Sequence, residues 1–393
     1  MKYRFYLLSL CLLFLMSCRK ELLKDYSSVT FEVRDLSGTD NPLYISGTIN
    51  QWNPGHSDYS LVKDGDVWRI TLLLQSGSEI EYKLTRGNWE SVEKDNMDRD
   101  VENRFYSVRS EKDTVRLIIP RWGSGRKVST ETGCIEIIEN FLIPQLDKRR
   151  TLRILLPYNY HVNHSRHYPV IYMHDGQNLF DDSTAFSGEW GIDESLKALF
   201  DEHSDRGYFV VGIDNGPDRL SEYSPWPFHF RDYHSSGDGK KYATFLAETL
   251  KPYIDSHYRT VNKPENTMIA GSSMGGLISL YTGLTYPDKF GLIGSMSSTF
   301  SDVVAGQQLK AYILSKKGEI PEYLRIYMDI GTMESAETPP EKEVEANEEV
   351  FELLKEILSD SLNVTLRIIP GGKHKESDWK ERFPDMLRWL YEF

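Results

Sequence analysis

The sequence predicts two domains of different classes, an all-β domain followed by a doubly wound α/β domain. The chain has 393 residues, which is more than one ordinary hydrophobic core holds. Residues 28–120 contain short runs that alternate apolar and polar side chains, whereas residues 134–393 alternate continuous apolar runs with amphipathic stretches. The net charge of −13 argues against a nucleic-acid partner, because such partners bind basic patches.

Residues 1–18 are predicted to be a signal peptide that is not part of the fold. Their apolar stretch, residues 7–16, follows two basic residues and is too short to span a bilayer. The ending Leu-x-Ser-Cys resembles a bacterial lipobox, which implies a lipid on the sulfur of Cys18. The lipid would hold the exported protein in the bacterial cell envelope, at the outer membrane or the cell surface. The alternative is a plain secretory signal in which this cysteine is incidental. Residues 19–27 are the predicted tether.

The first domain is predicted to be an immunoglobulin-like β-sandwich over residues 28–120. Its runs are rich in β-branched and aromatic residues, and Ser-Gly, Asp-Gly and Asn-Pro-Gly turns separate them. About 100 residues with short, regularly spaced strands are typical of such a sandwich. Residues 121–133 lack periodicity and are predicted to form the linker. In chain order, the predicted strands are VTFEV, PLYISGTI, DVWRITLLL, EIEYKLT, NRFYSV and TVRLII.

Two tryptophans of this domain fall in turns, unlike Trp68, which takes an alternating strand position and is predicted to be core. Trp52 lies in INQWNPG and Trp89 in RGNWES. Loop tryptophans among polar residues are candidates for stacking on a flat ligand such as a sugar ring. The alternative is that one or both fold over to cap the sandwich, since Trp is large and rarely fully buried.

The motifs YISGTINQWNP, DVWRITLLLQSG and EIEYKLTRGNWESVE resemble the starch- and glycogen-binding modules of carbohydrate-binding families 20 and 48. In those modules two tryptophans and a lysine form the main sugar site. The resemblance places this site at Trp52, Lys83 and Trp89, with Glu90 beside them. Asn103, in ENRFY, is similar to a further sugar contact.

The second domain, residues 134–393, begins with two runs, CIEIIENFLI and RTLRILLP, that predict an antiparallel pair of strands. Continuous apolar runs such as VIYMHD and YFVVGID then predict buried parallel strands. Helical patterns separate these runs, as in a doubly wound sheet. In such sheets the functional site lies at the carboxyl ends of the strands.

One strand–turn–helix in this domain has the pattern of a catalytic serine. The apolar run 267–270 is followed by Gly-Ser-Ser-Met-Gly and then by apolar residues at helical spacing. The central Ser273 matches the G-x-S-x-G nucleophile elbow, in which Gly271 and Gly275 relieve crowding around a sharp turn. This context predicts an α/β-hydrolase fold with Ser273 as the nucleophile. The alternative is an ordinary Gly/Ser turn before a helix.

In that fold an acid and then a histidine follow the serine along the chain. Of the ten histidines only His374 lies after Ser273, and it follows the last predicted strand. The acid is expected after the strand LRIYMDIG, where Asp329 and Glu334 compete. Glu334 is preferred because a carboxylate must reach the imidazole from the strand end.

Attack of a serine on a carbonyl group produces a negative oxygen, which needs two N–H donors. Met274, the residue after the nucleophile, is predicted to supply one of them. The backbone of Gln177, in MHDGQNLF, is predicted to supply the other, with Gly176 allowing the close turn. An ordinary Asp-Gly turn is the alternative for that loop.

The motifs VIYMHDGQNLF, EWGIDE, GSSMGG, DIGTMES and GGKHKESDW resemble the esterase D family, which includes feruloyl, acetylxylan and siderophore esterases and mycolyltransferases. The resemblance covers about residues 134–393. It implies Glu334 as the acid and Gln177 and Met274 as the oxyanion donors.

The leading hypothesis is a serine esterase that acts on an acylated carbohydrate, of acetyl or feruloyl type, and needs neither metal nor cofactor. Its expected partners are a polysaccharide or acylated sugar, and a membrane only through the lipid. One alternative is a siderophore trilactone esterase. Another is a glycan-binding surface lipoprotein with an inactive hydrolase domain.

Overall fold

The computed structural model divides into two compact units, with the division between residues 128 and 129. Arg121 and Trp122 pair with Glu93 and Lys94, so the start of the predicted linker is a strand of the first unit. No helix in the described part of the chain is long and apolar enough to cross a bilayer. The structure describes residues 26–38, 40–97, 100–109, 112–123, 129–186, 188–202, 207–230, 233–300, 306–334 and 339–392.

The first unit is made mostly of strands, as its sequence predicts. Seven of them are hydrogen-bonded to one another in the order β7-β5-β2-β3-β4-β1-β8, and β6 pairs with β9. Within it β1 is antiparallel to β4 and parallel to β8. The strands are β1 Tyr26–Asp35, β2 Leu43–Gly47, β3 Ser60–Asp64, β4 Val67–Gln75, β5 Glu79–Thr85, β6 Glu93–Lys94, β7 Arg104–Ser107, β8 Lys112–Ile119 and β9 Arg121–Trp122.

Alternation of side chains builds the core of this unit. Along β1 the alternate residues Val29, Phe31 and Val33 are fully buried. Trp68 is only 6% exposed, as expected for a core position. Strand β3 is absent from the predicted strands, because Leu61 is its only buried residue and leaves no alternating pattern.

The second unit is built on an eight-stranded sheet in the order β10-β11-β13-β12-β16-β17-β18-β19. The first two strands form the predicted antiparallel pair, and the strands from β13 to β19 in this order are parallel. The strands, including the separate pair β14 and β15, are β10 Cys134–Ile143, β11 Lys148–Leu156, β12 Val170–His174, β13 Phe209–Ile213, β14 Phe228–Phe230, β15 Tyr233–Ser235, β16 Thr267–Ser272, β17 Leu292–Met296, β18 Arg325–Met333 and β19 Val364–Lys373.

Helices cover both faces of this sheet and bury separate hydrophobic cores. Tyr172 of β12 packs in one core with Leu277, whereas its neighbour Met173 packs in the other with Phe383. Both faces of the central strands are therefore buried, as their continuous apolar runs predict. The helices are α1 Ile192–Glu202, α2 Arg219–Glu222, α3 Gly239–Phe245, α4 Lys251–His257, α5 Met274–Thr285, α6 Gly306–Ser315, α7 Pro340–Ile357 and α8 Glu376–Tyr391, with a π-helical turn, Leu246–Leu250, between α3 and α4.

Candidate active site

Ser273 lies at the sharp turn between β16 and α5. Its backbone has φ 58° and ψ −126°, a conformation that a residue with a side chain adopts only under strain. Such strain is characteristic of functional positions held by their surroundings. The Ser273 hydroxyl lies 3.3 Å from the hydroxyl of Thr299, in the loop after β17.

A side chain in place of each glycine around the turn would meet different neighbours. A Cβ on Gly271 would lie 2.9 Å from both the backbone of Gly275 and the ring of His174. A Cβ on Gly276 would lie 1.9 Å from the Ser298 hydroxyl, whereas one on Gly275 would meet nothing closer than 3.4 Å. Crowding therefore excludes side chains at Gly271 and Gly276. At Gly275 a Cβ would make only ordinary van der Waals contacts, so the expected crowding at this motif position is not found.

Glu334 and His374 are brought together from the ends of neighbouring strands. Glu334 follows β18, His374 follows β19, and Glu334 Oε2 lies 2.7 Å from His374 Nδ1. The glutamate side chain is only 3% exposed, but the imidazole is 34% exposed. The ring is thus held by a buried carboxylate and remains accessible from outside.

The environment of Glu334 favours its ionised form. Burial raises the pKa of this carboxyl, but hydrogen bonds from His374, Ser297 and the Gly331 N–H outweigh burial and lower the pKa below its usual value. The hydroxyl of Ser297 and the N–H of Gly331 both donate to Oε1, at 2.7 and 2.5 Å. The other oxygen, Oε2, is left to accept from the imidazole.

Asp329, the competing acid, has a different set of contacts. It is fully buried within β18 and accepts from Arg382 Nη1 at 2.9 Å and from the Ser297 N–H at 3.2 Å. No hydrogen bond joins it to His374 among the described contacts. The geometry therefore favours Glu334 as the orienting carboxylate, and Asp329 binds the arginine.

The predicted oxyanion donors lie at two helical N-termini at the same edge of the sheet. Met274 is the first residue of α5, where backbone N–H groups have no partner within the helix. Gln177 lies in a 3₁₀ turn, Gly176–Asn178, directly after β12. A Cβ on Gly176 would lie 2.7 Å from the backbone of Gly212, so this glycine also lets the turn pack on β13.

Side chains that the sequence did not single out hold the Gln177 turn. Asp175 precedes the turn with φ 56° and accepts two hydrogen bonds from Arg219, at 2.7 and 2.8 Å. Asn215 donates to Asp175 at 2.6 Å, and its N–H donates to Gln177 Oε1 at 3.1 Å. The bidentate Arg219 pair fixes the turn that carries Gln177, the predicted oxyanion donor.

A buried imidazole lies directly beneath the elbow. His174, the last residue of β12, is 2% exposed and its Nδ1 lies 3.1 Å from the hydroxyl of Tyr242. Burial lowers the pKa of His174 to about 4, so the ring is neutral near pH 7. A neutral ring avoids the cost of an uncompensated buried charge under the nucleophile.

In the first unit, the structure places Trp52 and Trp89 against each other. Their ring centroids are 6.1 Å apart with the planes tilted by 38°. Both side chains are half-buried, and a Cβ on Gly55 would lie 2.7 Å from the Gly87 carbonyl oxygen. The two turns that carry the tryptophans therefore pack together and leave both rings partly exposed.

The other predicted sugar contacts lie on nearby elements of the same unit. Lys83 is half-buried on β5, and Glu90 is exposed next to Trp89. Asn103 is half-buried and donates to Glu81 at 3.1 Å. Cys18, the predicted lipid site, lies outside the described residues. Among the described residues no group of three or more His, Cys, Asp or Glu could hold a metal ion.

A comparison with protein families decides what kind of enzyme this geometry belongs to. The family model described as "Putative esterase" matches residues 143–390. The chain belongs to this esterase family. It is a carboxylic ester hydrolase, and the matched residues include the elbow serine, Glu334 and His374.

Individual relatives extend the family result. The Bacillus subtilis protein YbbA is 28% identical over 249 residues, which are 62% of this chain and 92% of that protein. An enterobactin esterase from Shigella flexneri has a similar fold, with a TM-score of 0.53 at 17% identity, over 92% of this chain and 93% of its own. This likeness shows an esterase-like α/β-hydrolase fold.

A shorter match links the chain to a different class of protein. An alpha-amylase from Niallia circulans is 39% identical over 98 residues. The match covers 24% of this chain and only 8% of the amylase.

Ser297, Arg382 and Arg219 are site residues that sequence reasoning missed. Ser297 is one serine of the run SMSST, Arg219 begins a four-residue helix, and Arg382 belongs to a helix with several charged residues. Their contacts join elements far apart in the sequence. Arg382 reaches Asp329 across 53 positions, and no local pattern marks such a partner.

Proposed function

We propose that the esterase domain hydrolyses acyl esters carried by a carbohydrate, with Ser273 as nucleophile, His374 as base and Glu334 as orienting carboxylate. The observation that carries this proposal is the 2.7 Å contact between Glu334 and His374 at the edge of the sheet where Ser273 lies. The same contact argues against an inactive hydrolase domain, because a buried carboxylate that orients a partly exposed imidazole is the arrangement of a catalytic base.

The mechanism follows from the positions of these groups. The Ser273 hydroxyl oxygen attacks the ester carbonyl carbon, and His374 takes the hydroxyl proton. The backbone N–H groups of Gln177 and Met274 stabilise the negative oxygen of the tetrahedral intermediate. His374 then gives its proton to the leaving alcohol, and Glu334 stabilises the imidazolium while it exists. Water, deprotonated by His374, releases the acyl group from the serine.

The tryptophan pair supports a carbohydrate as the alcohol part of the substrate. Two partly exposed rings at 6.1 Å offer a surface on which sugar rings stack. The 98-residue match to an alpha-amylase has the length of the predicted starch-binding module, residues 28–120, and supports the same interpretation. In this proposal the first unit is an immunoglobulin-like sandwich that holds the enzyme on a glucan through Trp52, Lys83, Trp89, Glu90 and Asn103.

A siderophore trilactone is the second candidate substrate. The likeness to the Shigella flexneri enterobactin esterase extends over 92% of this chain, which includes residues beyond the esterase domain. An Escherichia coli iron(III) enterobactin esterase is also 34% identical over 92 residues. A cyclic trilactone presents three esters to the same serine, so the catalytic groups fit either substrate.

The two candidates are separated by a panel of substrates tested with the full-length protein and with Ser273→Ala. The panel contains p-nitrophenyl acetate, acetylated and feruloylated oligosaccharides and a catecholate trilactone. We expect the highest kcat/KM on an acylated oligosaccharide, and a loss of several orders of magnitude on every substrate in Ser273→Ala. Preference for the trilactone would replace the carbohydrate proposal, and near-normal turnover by Ser273→Ala would refute the catalytic assignment.

We also propose that Cys18 carries a lipid that anchors the exported enzyme to a membrane of the bacterial envelope. The sequence Leu-x-Ser-Cys supports this proposal. Metabolic labelling with a radioactive fatty acid should mark the wild-type protein and not Cys18→Ser. Equal labelling of the two would contradict it.

A further inference from the structure

Ser297 occupies an unusual backbone position beside the catalytic groups. It directly follows β17, is only 2% exposed and has φ 43°, in the region that favours glycine. Its N–H donates to the carbonyl oxygen of Asp329 at 2.8 Å. Strained residues of this kind persist where the surrounding structure holds them, and they cluster at functional sites.

Three side chains converge on the hydroxyl of Ser297. Trp379 Nε1 lies 2.9 Å from Ser297 Oγ, and Arg382 Nη2 lies 3.3 Å from it. Glu334 Oε1 lies 2.7 Å from the same oxygen. The hydroxyl therefore has a neighbour for each of its hydrogen-bonding positions.

The chemistry of these neighbours fixes the direction of the hydroxyl proton. An indole N–H and a guanidinium N–H only donate, so Trp379 and Arg382 occupy the two lone pairs of the oxygen. A hydroxyl has one proton, and the remaining neighbour is a carboxylate that accepts. The proton of Ser297 is consequently directed at Glu334 Oε1.

We propose that Ser297 is a positioning residue for ester hydrolysis, which holds Glu334 in the orientation that suits His374. This inference rests on the proposed catalytic roles of Glu334 and His374. The terminal torsion of a glutamate is intrinsically broad, so hydrogen bonds must fix the carboxylate plane. Two donors, Ser297 and the Gly331 N–H, hold Oε1 and so direct Oε2 at the imidazole.

Arg382 and Asp329 extend this support away from the substrate. Asp329 accepts from Arg382 Nη1 at 2.9 Å, and this contact holds the guanidinium whose Nη2 faces Ser297. The titratable groups around Glu334 are His374, Asp329 and Arg382, whose Nη1 lies 4.0 Å from Oε1. The carboxyl that competes with Glu334 for the catalytic role thus serves the same network as an anchor.

Two substitutions remove the hydroxyl with opposite effects on the backbone. Ser297→Ala keeps the strain of a positive φ, whereas Ser297→Gly relieves it. The matched control is Ser224→Ala, because Ser224 is fully buried and its hydroxyl donates to a carbonyl oxygen at the same 2.7 Å without touching Glu334 or His374.

We expect kcat on p-nitrophenyl acetate to fall about 10- to 100-fold in both Ser297 variants, with KM unchanged, because a hydrogen bond to a charged group is lost. The pKa of Glu334 should rise in both variants, because the carboxylate loses a hydrogen bond that lowers this pKa. Ser224→Ala should keep the wild-type kcat and pH profile. Wild-type kcat in Ser297→Gly, which also lacks the hydroxyl, would overturn the positioning role.

A double variant tests whether Ser297 acts through Glu334. In a Glu334→Gln background, Ser297→Ala should cause little further loss in the rate at which a fluorophosphonate labels Ser273. Losses that multiply would overturn the inference. If Glu334→Gln itself keeps the wild-type rate, the proposed function fails; if it is inactive while the Ser297 variants match Ser224→Ala, only the positioning role fails.

Discussion

The esterase site and the tryptophan pair are built in opposite ways. Around Glu334, a carboxylate with 3% exposure is fixed by hydrogen-bond donors from the ends of three strands. Trp52 and Trp89 instead lie on two surface turns and stay half exposed. The chemistry thus depends on a buried network, whereas the candidate binding surface depends on a few side chains. Substitutions in the first should change rates strongly, and those in the second should change affinity alone.

The largest expected effect is on kcat, and it distinguishes the roles of the two buried carboxyls, Glu334 and Asp329. Glu334→Gln should lower kcat by about 10³- to 10⁴-fold, because the amide supports the imidazolium poorly. Its melting temperature should change little. Kinetics on p-nitrophenyl acetate and thermal unfolding measure both quantities.

Asp329→Asn should show the reverse pattern. It weakens the hydrogen bond from the buried Arg382, which still lies 4.0 Å from Glu334, and this should cost about 3 kcal/mol of unfolding free energy, while kcat falls far less than in Glu334→Gln. If Asp329→Asn loses more activity than Glu334→Gln, the two assignments are exchanged.

A smaller effect concerns the stability of the buried network at low pH. The pKa of His174 is lowered to about 4, so the unfolded chain binds a proton below about pH 6.5 that the folded protein does not bind until about pH 4. Stability contributed by the neutral ring is therefore present above pH 6.5 and is lost as the pH falls to 4. The loss amounts to about 3 kcal/mol.

His174→Asn removes this titration, and its unfolding free energy should depend less steeply on pH between 6.5 and 4. Urea denaturation at several pH values measures the difference. His161→Asn, at the surface, should keep the wild-type slope. Parallel curves for His174→Asn and the wild type would contradict the buried neutral imidazole.

The smallest expected effect belongs to the exposed pair. Trp89→Ala should weaken retention on amylose, with a loss of about 2 kcal/mol or roughly 30-fold in Kd, while kcat on p-nitrophenyl acetate stays unchanged. Phe105→Ala removes another exposed aromatic ring, 58% exposed on β7, and should bind as the wild type does. Equal retention of all three proteins would count against the tryptophan site.

Much of the second domain could be predicted from local patterns. The elbow, the antiparallel pair β10–β11 and the buried parallel strands each follow from a short run of residues. His374 was found because it is the only histidine after Ser273. Glu334 is preferred over Asp329 because it lies beyond the end of the predicted strand, and in the structure Glu334 contacts the imidazole.

The supporting contacts could not be predicted, because each joins residues far apart in the sequence. Ser297 meets Trp379 across 82 positions, and Arg219 meets Asp175 across 44. In the first unit, β3 cannot be predicted because its single buried leucine gives no alternating pattern. The predicted linker starts too early along the chain because Arg121 and Trp122 form a strand of only two residues. Such elements depend on pairing partners and not on their own pattern.

The turn that carries Trp52 has a consequence for the proposed binding of a glycan. Gln51 and Trp52 both have positive φ, and the buried Asn50 bonds the Gly47 N–H and the Ile45 carbonyl oxygen. The turn, and with it the direction of the Cα–Cβ bond of Trp52, is thus held before any ligand arrives. If a glycan binds there, the protein loses little conformational freedom, so even a short oligosaccharide should be retained. Loosening this loop should therefore weaken capture without removing a single ligand contact.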